Sequence, residues 1–278
     1  MEEPSPTMDA HPTSDDIEQE LRGSIATARD IIVLDPSVAV IHSLIDILIS
    51  FDEPPQSRVL AAESALKSVR DHTSRAAHAA ELVNEGSLQL RSLGSPQVGL
   101  PPLIVSDDHV HSLVVLDSVV STISRENTAM AASVENDLDE FWEAADSFDL
   151  RTPGWSHMLT SLEDRFGTEV ATDFERVLSA TDDADIDSSE IDEIAIAIFA
   201  ASANGVLLYD IGRWGEDIGF ASKATFSRTK GQMEDAGLIT TEKVPIDVGR
   251  PRQRLRIADD RLEGADATEV ISILGSLT

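Results

Sequence analysis

The sequence predicts an α/β domain with a mixed sheet, a helical connector, and a small C-terminal domain of three helices closed by a β-hairpin. Three observations carry that expectation. Short β-branched apolar runs alternate with helically spaced stretches between Asp30 and Leu93, the βαβ pattern of a partly parallel sheet. An acid-rich stretch, "TDDADIDSSE" (181–190), holds no large apolar residue except Ile186, as a linker does. Beyond it, three helical segments lead into two short strands flanked by Pro245 and Pro251.

Taken in order, residues 1–16 are polar, carry three prolines and lack periodicity, so disorder is expected there. The α/β domain is expected over 17–126. "DIIVLDP" (30–36) reads as a strand, "SVAVIHSLIDILISF" as a helix, "SRVLA" as a second strand and the Ala-rich stretch to Glu85 as one long helix. "GSLQLRSL" alternates as a further strand, and "PLIVSDDHVHSLVVLD" as two strands about Ser106, Asp107 and Asp108. Helical spacing fills the connector, 127–187, broken in the middle by "RTPGW". The C-terminal domain spans 188–258. There Ser189 and Asp192 resemble a capping box, and "IDEIAIAIFAASANG" reads as a buried helix ending at Asn204 and Gly205. In the terminal segment, 259–278, a helix places Val270, Ile271, Ile273, Leu274 and Leu277 on one broad apolar side. That side is a candidate dimer surface, with packing onto its own domain as the alternative.

Charge narrows the setting. The chain has 51 acids against 21 Lys and Arg, a net charge of -30, and its only lysines are Lys67, Lys223, Lys230 and Lys243. A carboxylate-rich, lysine-poor surface stays hydrated in concentrated salt, where self-repulsion is screened over about 3 Å at 1 M, so a halophilic protein is expected. Cysteine is absent, which excludes disulfides, thiolate nucleophiles and Cys-ligated metal sites. No basic start followed by an apolar run is present, nor any stretch of ~18 apolar residues, so a soluble, cytoplasmic protein without membrane contact is expected.

Against this background "GFASKATFSRTKGQMEDAGLI" (219–239) is unusual: Lys223, Arg228 and Lys230 stand together with no acid before Glu234. Helix, helix, helix, hairpin is the winged-helix order, in which the third helix enters the major groove and the hairpin reaches a flanking groove or backbone. At 100° per residue, with Phe226 inward, Ser222, Thr229, Lys230 and Met233 share its side, while Ala224, Arg228, Gly231 and Gln232 face away. Arg228 can fork onto guanine, Ala224 can touch a thymine methyl, and Thr225, Ser227 and Gln232 can bond base edges or phosphates. Ser222 and Lys223 open the helix toward the backbone, and the Lys230 stem is expected to cover the core while its ammonium reaches a phosphate. Gly231 costs about 1 kcal/mol relative to Ala inside a helix, which is understandable where a phosphate must come close. In the hairpin, Arg250 lies at the tip, and Arg252, Arg254 and Arg256 alternate onto one face, with Gln253, Leu255 and Ile257 on the other. From Asn204 to Ile257 there are nine Lys and Arg against seven acids, leaving -32 for the rest of the chain. Double-stranded DNA is the partner these cations point to.

The stretch "LLYDIGRWGEDIGFASKATFSRTKGQMEDAGLITTEKVPIDVGRPRQRLRI" resembles the haloarchaeal winged-helix transcription regulators of the TrmB-suppressor type, with "AAELVNEGSLQLRSL" and "DLRTP" as weaker anchors. The resemblance implies a DNA-binding regulator of central carbon metabolism genes. The first domain also looks broadly like phospholipase-D-like sensor domains. Their catalytic signature needs a lysine two residues after a histidine, and "HVHSLVV" offers His109 and His111 without it, so no enzymatic activity is expected.

Other constellations are weaker. His109 and His111 share a strand face near Asp107 and Asp108 but lack a clear third ligand, so no metal is expected. No phosphate-cradling glycine loop occurs, and nothing points to a cofactor. By the rule that α/β sheets bind ligands at the carboxyl ends of their strands, Asp35 and Ser37 after the first strand, and Glu63 and Ser64 after the second, would line a site for a small phosphorylated metabolite. A homodimer is expected. The alternative for the whole chain is an interaction or scaffold module whose winged helix binds a protein; the wing arginines favour DNA.

Overall fold

The computed structural model describes residues 14–93, 102–107, 109–116, 119–183, 192–245 and 251–277. They form two compact units, one from residues up to Arg70 together with His78–Leu150, the other from Asp71–Ala77 together with Arg151 onward.

The first unit opens with α1 (Ser14–Ile25), which begins inside the stretch expected to be disordered. Its Ile17, Leu21 and Ile25, four apart, form one buried stripe that packs beside α2 (Val38–Ile49). Residues 1–13 lie outside the described set. A seven-stranded sheet follows, in the order β6-β5-β4-β1-β2-β3-β7. Its strands are β1 (Asp30–Leu34), β2 (Gln56–Ala62), β3 (Leu88–Leu93), β4 (Leu103–Ser106), β5 (His109–Leu116), β6 (Val119–Glu126) and β7 (Asp146–Ser147). β1, β2 and β3 are parallel and the remaining pairs antiparallel, the mixed sheet that the alternation predicts.

Alternation along each strand serves two faces. Ile31 and Val33 of β1, Val59 and Ala61 of β2, and Leu88 and Leu90 of β3 point into one core with α1, α2, α3 (Glu63–Val69) and α4 (Thr73–Glu85). Ile32, Leu34, Leu60 and Leu93 point the other way, onto α5 (Thr128–Ala144). Strands covered on both faces read as continuous apolar runs, which is why "DIIVL" shows no polar position inside it. α5 is further fixed by Arg58, which bridges Glu135 (2.9 Å) and Asp139 (2.6 Å); Arg91 stacks on Trp142 at 4.7 Å. The Ala-rich stretch is two helices, α3 and α4, rather than one, with the break at Arg70 to His72.

The connector does not stand as a separate piece. α5 packs on the first unit's sheet, whereas α6 (Trp155–Phe166) and α7 (Thr168–Asp183) join the second unit's core. The units divide between Leu150 and Arg151, ahead of the acid-rich stretch; Arg151 there has φ 55, a left-handed residue at the break. α6 and α7 are amphipathic and bury Met158, Leu162, Val170, Phe174, Val177 and Leu178, so they have a core to belong to.

At the centre of the second unit lies α8 (Glu193–Ala203), apolar on every side and buried from Ala195 to Ser202. Its N-cap is Asp192, which accepts from the Ile194 N–H; Ser189 lies outside the described residues. Around α8 pack α7, α9 (Leu208–Asp217), α10 (Lys223–Asp235) and the hairpin of β8 (Ile239–Val244) and β9 (Arg252–Ile257), while α11 (Ala267–Leu274) packs on α7 and completes the same core. Val270, Ile271 and Leu274 of α11 are fully buried in this same core. The apolar side offered as a dimer surface is thus covered within the chain, leaving only Ile273 and Leu277 partly exposed.

Candidate nucleic-acid interface

One glycine of α9, Gly215, sets the position of α10. A Cβ on Gly215 would lie 2.3 Å from the Phe226 ring, and one on Gly212 would sit in contact with Phe226 and Lys223. Without a side chain at 215, Phe226 enters the core, where it joins Phe220, Trp214 and Phe174 with ring centroids 5.5 to 6.5 Å apart, whereas a Cβ at 212 would make only ordinary contact. Gly219, with φ 78, turns the chain after α9, and Ser222 caps α10, its hydroxyl accepting from the Thr225 N–H at 3.2 Å. Thr229 is buried and donates its hydroxyl to Asp192 Oδ2 at 2.8 Å, so one carboxylate both caps α8 and holds α10.

The outer side of α10 follows helical geometry except at Ser222, expected on the Phe226 side but exposed because it caps the helix from outside the first turn. Phe226, Thr229 and Met233 are buried, while Ser222, Ala224, Ser227, Arg228 and Gln232 are exposed. Thr225 is half-buried and shares a 2.9 Å hydrogen bond with the Ser222 hydroxyl. The two lysines are less available than the sequence suggests. Lys223 is salt-bridged to Glu216, and Lys230 pairs with Glu234 at 2.7 Å, with its side chain only 12% exposed. Partial burial opposes ionisation of Glu234, but hydrogen bonds from Lys230 and Thr241 outweigh it and hold the carboxyl below its ordinary value. The Lys230 ammonium therefore faces a carboxylate one turn along its own helix, a pairing legible in the spacing from 230 to 234. Arg228 remains the exposed cation of this face.

The wing is a two-stranded hairpin with one isolated bridge added to its free edge. β8 and β9 pair from Ile239 with Ile257 to Val244 with Arg252, and the short segment before α9 adds to the other edge of β9. There the Leu255 N–H donates to the Val206 carbonyl at 3.0 Å, and Leu207 bridges Arg254 in antiparallel sense. Near this bridge Gly205 lies close to Arg256 and Tyr209 close to Arg252. A Cβ on Gly205 would come within 2.8 Å of the Arg256 guanidinium, and its φ of 64 independently favours glycine. The Arg252 guanidinium lies 3.6 Å from the centroid of the Tyr209 ring. Glu242 accepts from Arg256 at 3.5 Å, and the Arg254 Nε is buried. Leu255 enters the core, as the alternation predicts. Arg250 and the hairpin tip lie outside the described residues. Sequence reasoning missed Tyr209, Glu216 and Glu242, because each acts through a partner on another helix or strand, and it passed over Glu234 although that pairing was legible in the spacing.

The metabolite-site residues occupy the ends of adjacent parallel strands. Asp35, with φ 46, donates its N–H to the Leu60 carbonyl at 2.7 Å, which joins the turn after β1 to the end of β2. The Ser37 hydroxyl caps α2, accepting from the Val40 N–H at 3.4 Å, and Glu63 pairs with Lys67 at 2.7 Å; Ser64 is exposed. Because α2, α3 and α4 all cover one face, β1 and β2 are not a switch point, where connections leave to opposite faces. His109 and His111 stack with centroids 5.4 Å apart. Among the described residues no group of three or more His, Cys, Asp or Glu is placed to hold a metal, and no helix is long and apolar enough to cross a membrane.

Residues 9–153 match the family model for the N-terminal domain of TbsP-like transcriptional regulators, and residues 154–274 match that for their C-terminal helix-turn-helix domain. The boundary between the two lies within three residues of the break between the compact units. Among solved structures, a match is TrmBL2, described as an archaeal chromatin protein with a novel mode of DNA binding. It aligns with a TM-score of 0.38 and 16% identity over 49% of this chain and 52% of that one, so the chain spans about half of its length. No curated protein matches.

Proposed function

The chain belongs to the TbsP-like transcriptional regulators, and from that premise we propose that α10 reads an operator in the major groove while the wing grips the flanking backbone. The observation that carries this reading is the outer side of α10. Small and polar residues there, Ala224, Ser227 and Gln232, surround the exposed Arg228 in a protein of net charge -30. Lys223, Lys230 and Arg256 are already paired with carboxylates, so their contribution to DNA is a general field rather than direct readout.

In this reading the protein is a cytoplasmic homodimer, since two recognition helices one helical turn apart match a palindromic operator. Its acid-rich, lysine-poor composition supports a halophilic setting. The N-terminal unit is a sensor of phospholipase-D-like kind that tunes binding through a small phosphorylated metabolite, and the genes controlled belong to central carbon metabolism. Enzymatic activity is not part of the proposal.

Genome-wide mapping of bound sites supplies an operator. On it, Arg228→Ala is expected to cost about 1 to 3 kcal/mol and to flatten the base preference at one position, whereas Arg252→Ala weakens all sequences alike. Equal losses on every sequence from both substitutions would remove α10 from readout.

A further inference from the structure

We propose that the stacked pair of Tyr209 and Arg252 is a preset phosphate contact of the wing, with Tyr209 as its positioning residue. The inference rests on the DNA-binding reading above and adds to it a residue outside both α10 and the hairpin.

The geometry separates three arginines that the sequence presents as equivalent. Arg256 directs an N–H toward Glu242, and the Arg254 Nε is buried against its own unit. Arg252 instead has its guanidinium carbon over the Tyr209 ring, 3.6 Å from the centroid, a separation that suits face-on stacking, and Tyr209 itself is 40% exposed at the first turn of α9. Stacking uses the face of a guanidinium, whereas its five N–H donors radiate in the plane from the edge. A stacked arginine therefore keeps its fork free for a phosphate oxygen while losing the side-chain freedom that binding would otherwise remove.

Its position is dictated by main-chain pairing. Leu207, the N-cap of α9, bridges Arg254 in antiparallel sense, which holds the first turn of α9, with Tyr209, beside β9 and its Arg252. The ring is anchored in the helix that precedes α10, and the arginine in the wing. Their contact sets the wing's cation relative to the recognition helix before DNA arrives.

The test uses the full-length protein and a fluorescein-labelled mixed-sequence duplex, because a phosphate contact is independent of sequence. Arg252→Ala is expected to weaken binding roughly tenfold and lower the salt slope by about one. Tyr209→Ala is expected to weaken it roughly fivefold without changing the slope, since the cation remains, and Tyr209→Phe to restore affinity because the ring alone is needed. In the Arg252→Ala background, Tyr209→Ala should add nothing; an additive loss would mean that Tyr209 supports the fold only. Tyr209 is the sole tyrosine of the chain. The single fluorine resonance of protein labelled with 3-fluorotyrosine should move on adding DNA and also on Arg252→Ala. A resonance unmoved by DNA, or wild-type affinity in Tyr209→Ala, would overturn the inference while leaving DNA binding in place. Failure of the wild type to bind any duplex would overturn the DNA-binding reading, and this inference with it.

Discussion

At the scale of single residues, the exposed side of α10 separates what packing needs from what it leaves open. Gly231 is the clearest case. No atom lies within 4 Å of where its Cβ would be, and its backbone is helical, so nothing in the chain requires a glycine. Gly231→Ala is therefore expected to raise stability by about 0.5 to 1 kcal/mol in urea unfolding, while weakening DNA binding if a phosphate approaches there. Unchanged affinity would remove the close-approach explanation. Glu234 gives a second test. Its carboxyl is held below the ordinary value, so between that value and its folded one the unfolded chain binds more protons. This group's stabilisation is complete above the ordinary carboxylate range and is lost as pH falls through the lowered folded value. Glu234→Gln should unfold more readily at neutral pH and show a flatter loss of stability on acidification, measured by denaturant titration across pH.

At the scale of elements, periodicity identified nearly every helix and strand that buries one face. The side of α10 around Phe226 followed from a 100° wheel alone, because an amphipathic helix has one way to hide its apolar residues. Missed elements lack that signature or fall short of it. α1 has a three-residue stripe in a polar stretch, β6 continues a hairpin, and the bridge made by Leu207 exists only as a partner of β9. Glycines of α9 illustrate the same limit. Gly215 looks like a weak helical position in the sequence, yet it is the surface against which the Phe226 ring lies. Gly215→Ala is expected to cost about 1 to 3 kcal/mol by overpacking and to disturb α10, with loss of DNA binding in parallel. A melting temperature at or above that of the wild type would contradict this packing.

At the scale of the whole molecule, the second unit is larger than the three helices and a hairpin of a winged helix. α6, α7 and α11 complete its core, so shortening the chain has consequences beyond the terminal helix. Truncation before Asp266 removes Val270, Ile271 and Leu274, each fully buried. The expected outcome is cooperative loss of structure in this unit, seen as reduced far-ultraviolet helicity and exposed hydrophobic surface, rather than a folded protein of half the mass. A well-folded truncated chain with a smaller mass in light scattering would instead restore α11 as a dimer element.

The sequence by itself determined the classes of the two units, the faces of α10 and the placement of cations against an acidic background. Each of these follows from periodicity and charge, which are local properties of the chain. Tertiary structure decided which cations are available and where the units divide. Lys223 and Arg256 meet carboxylates on a different helix or strand, Arg252 meets an aromatic ring 43 positions away, and α6 and α7 find their core only when α8 folds against them. Contacts between distant positions carry no period, so only the folded chain specifies them.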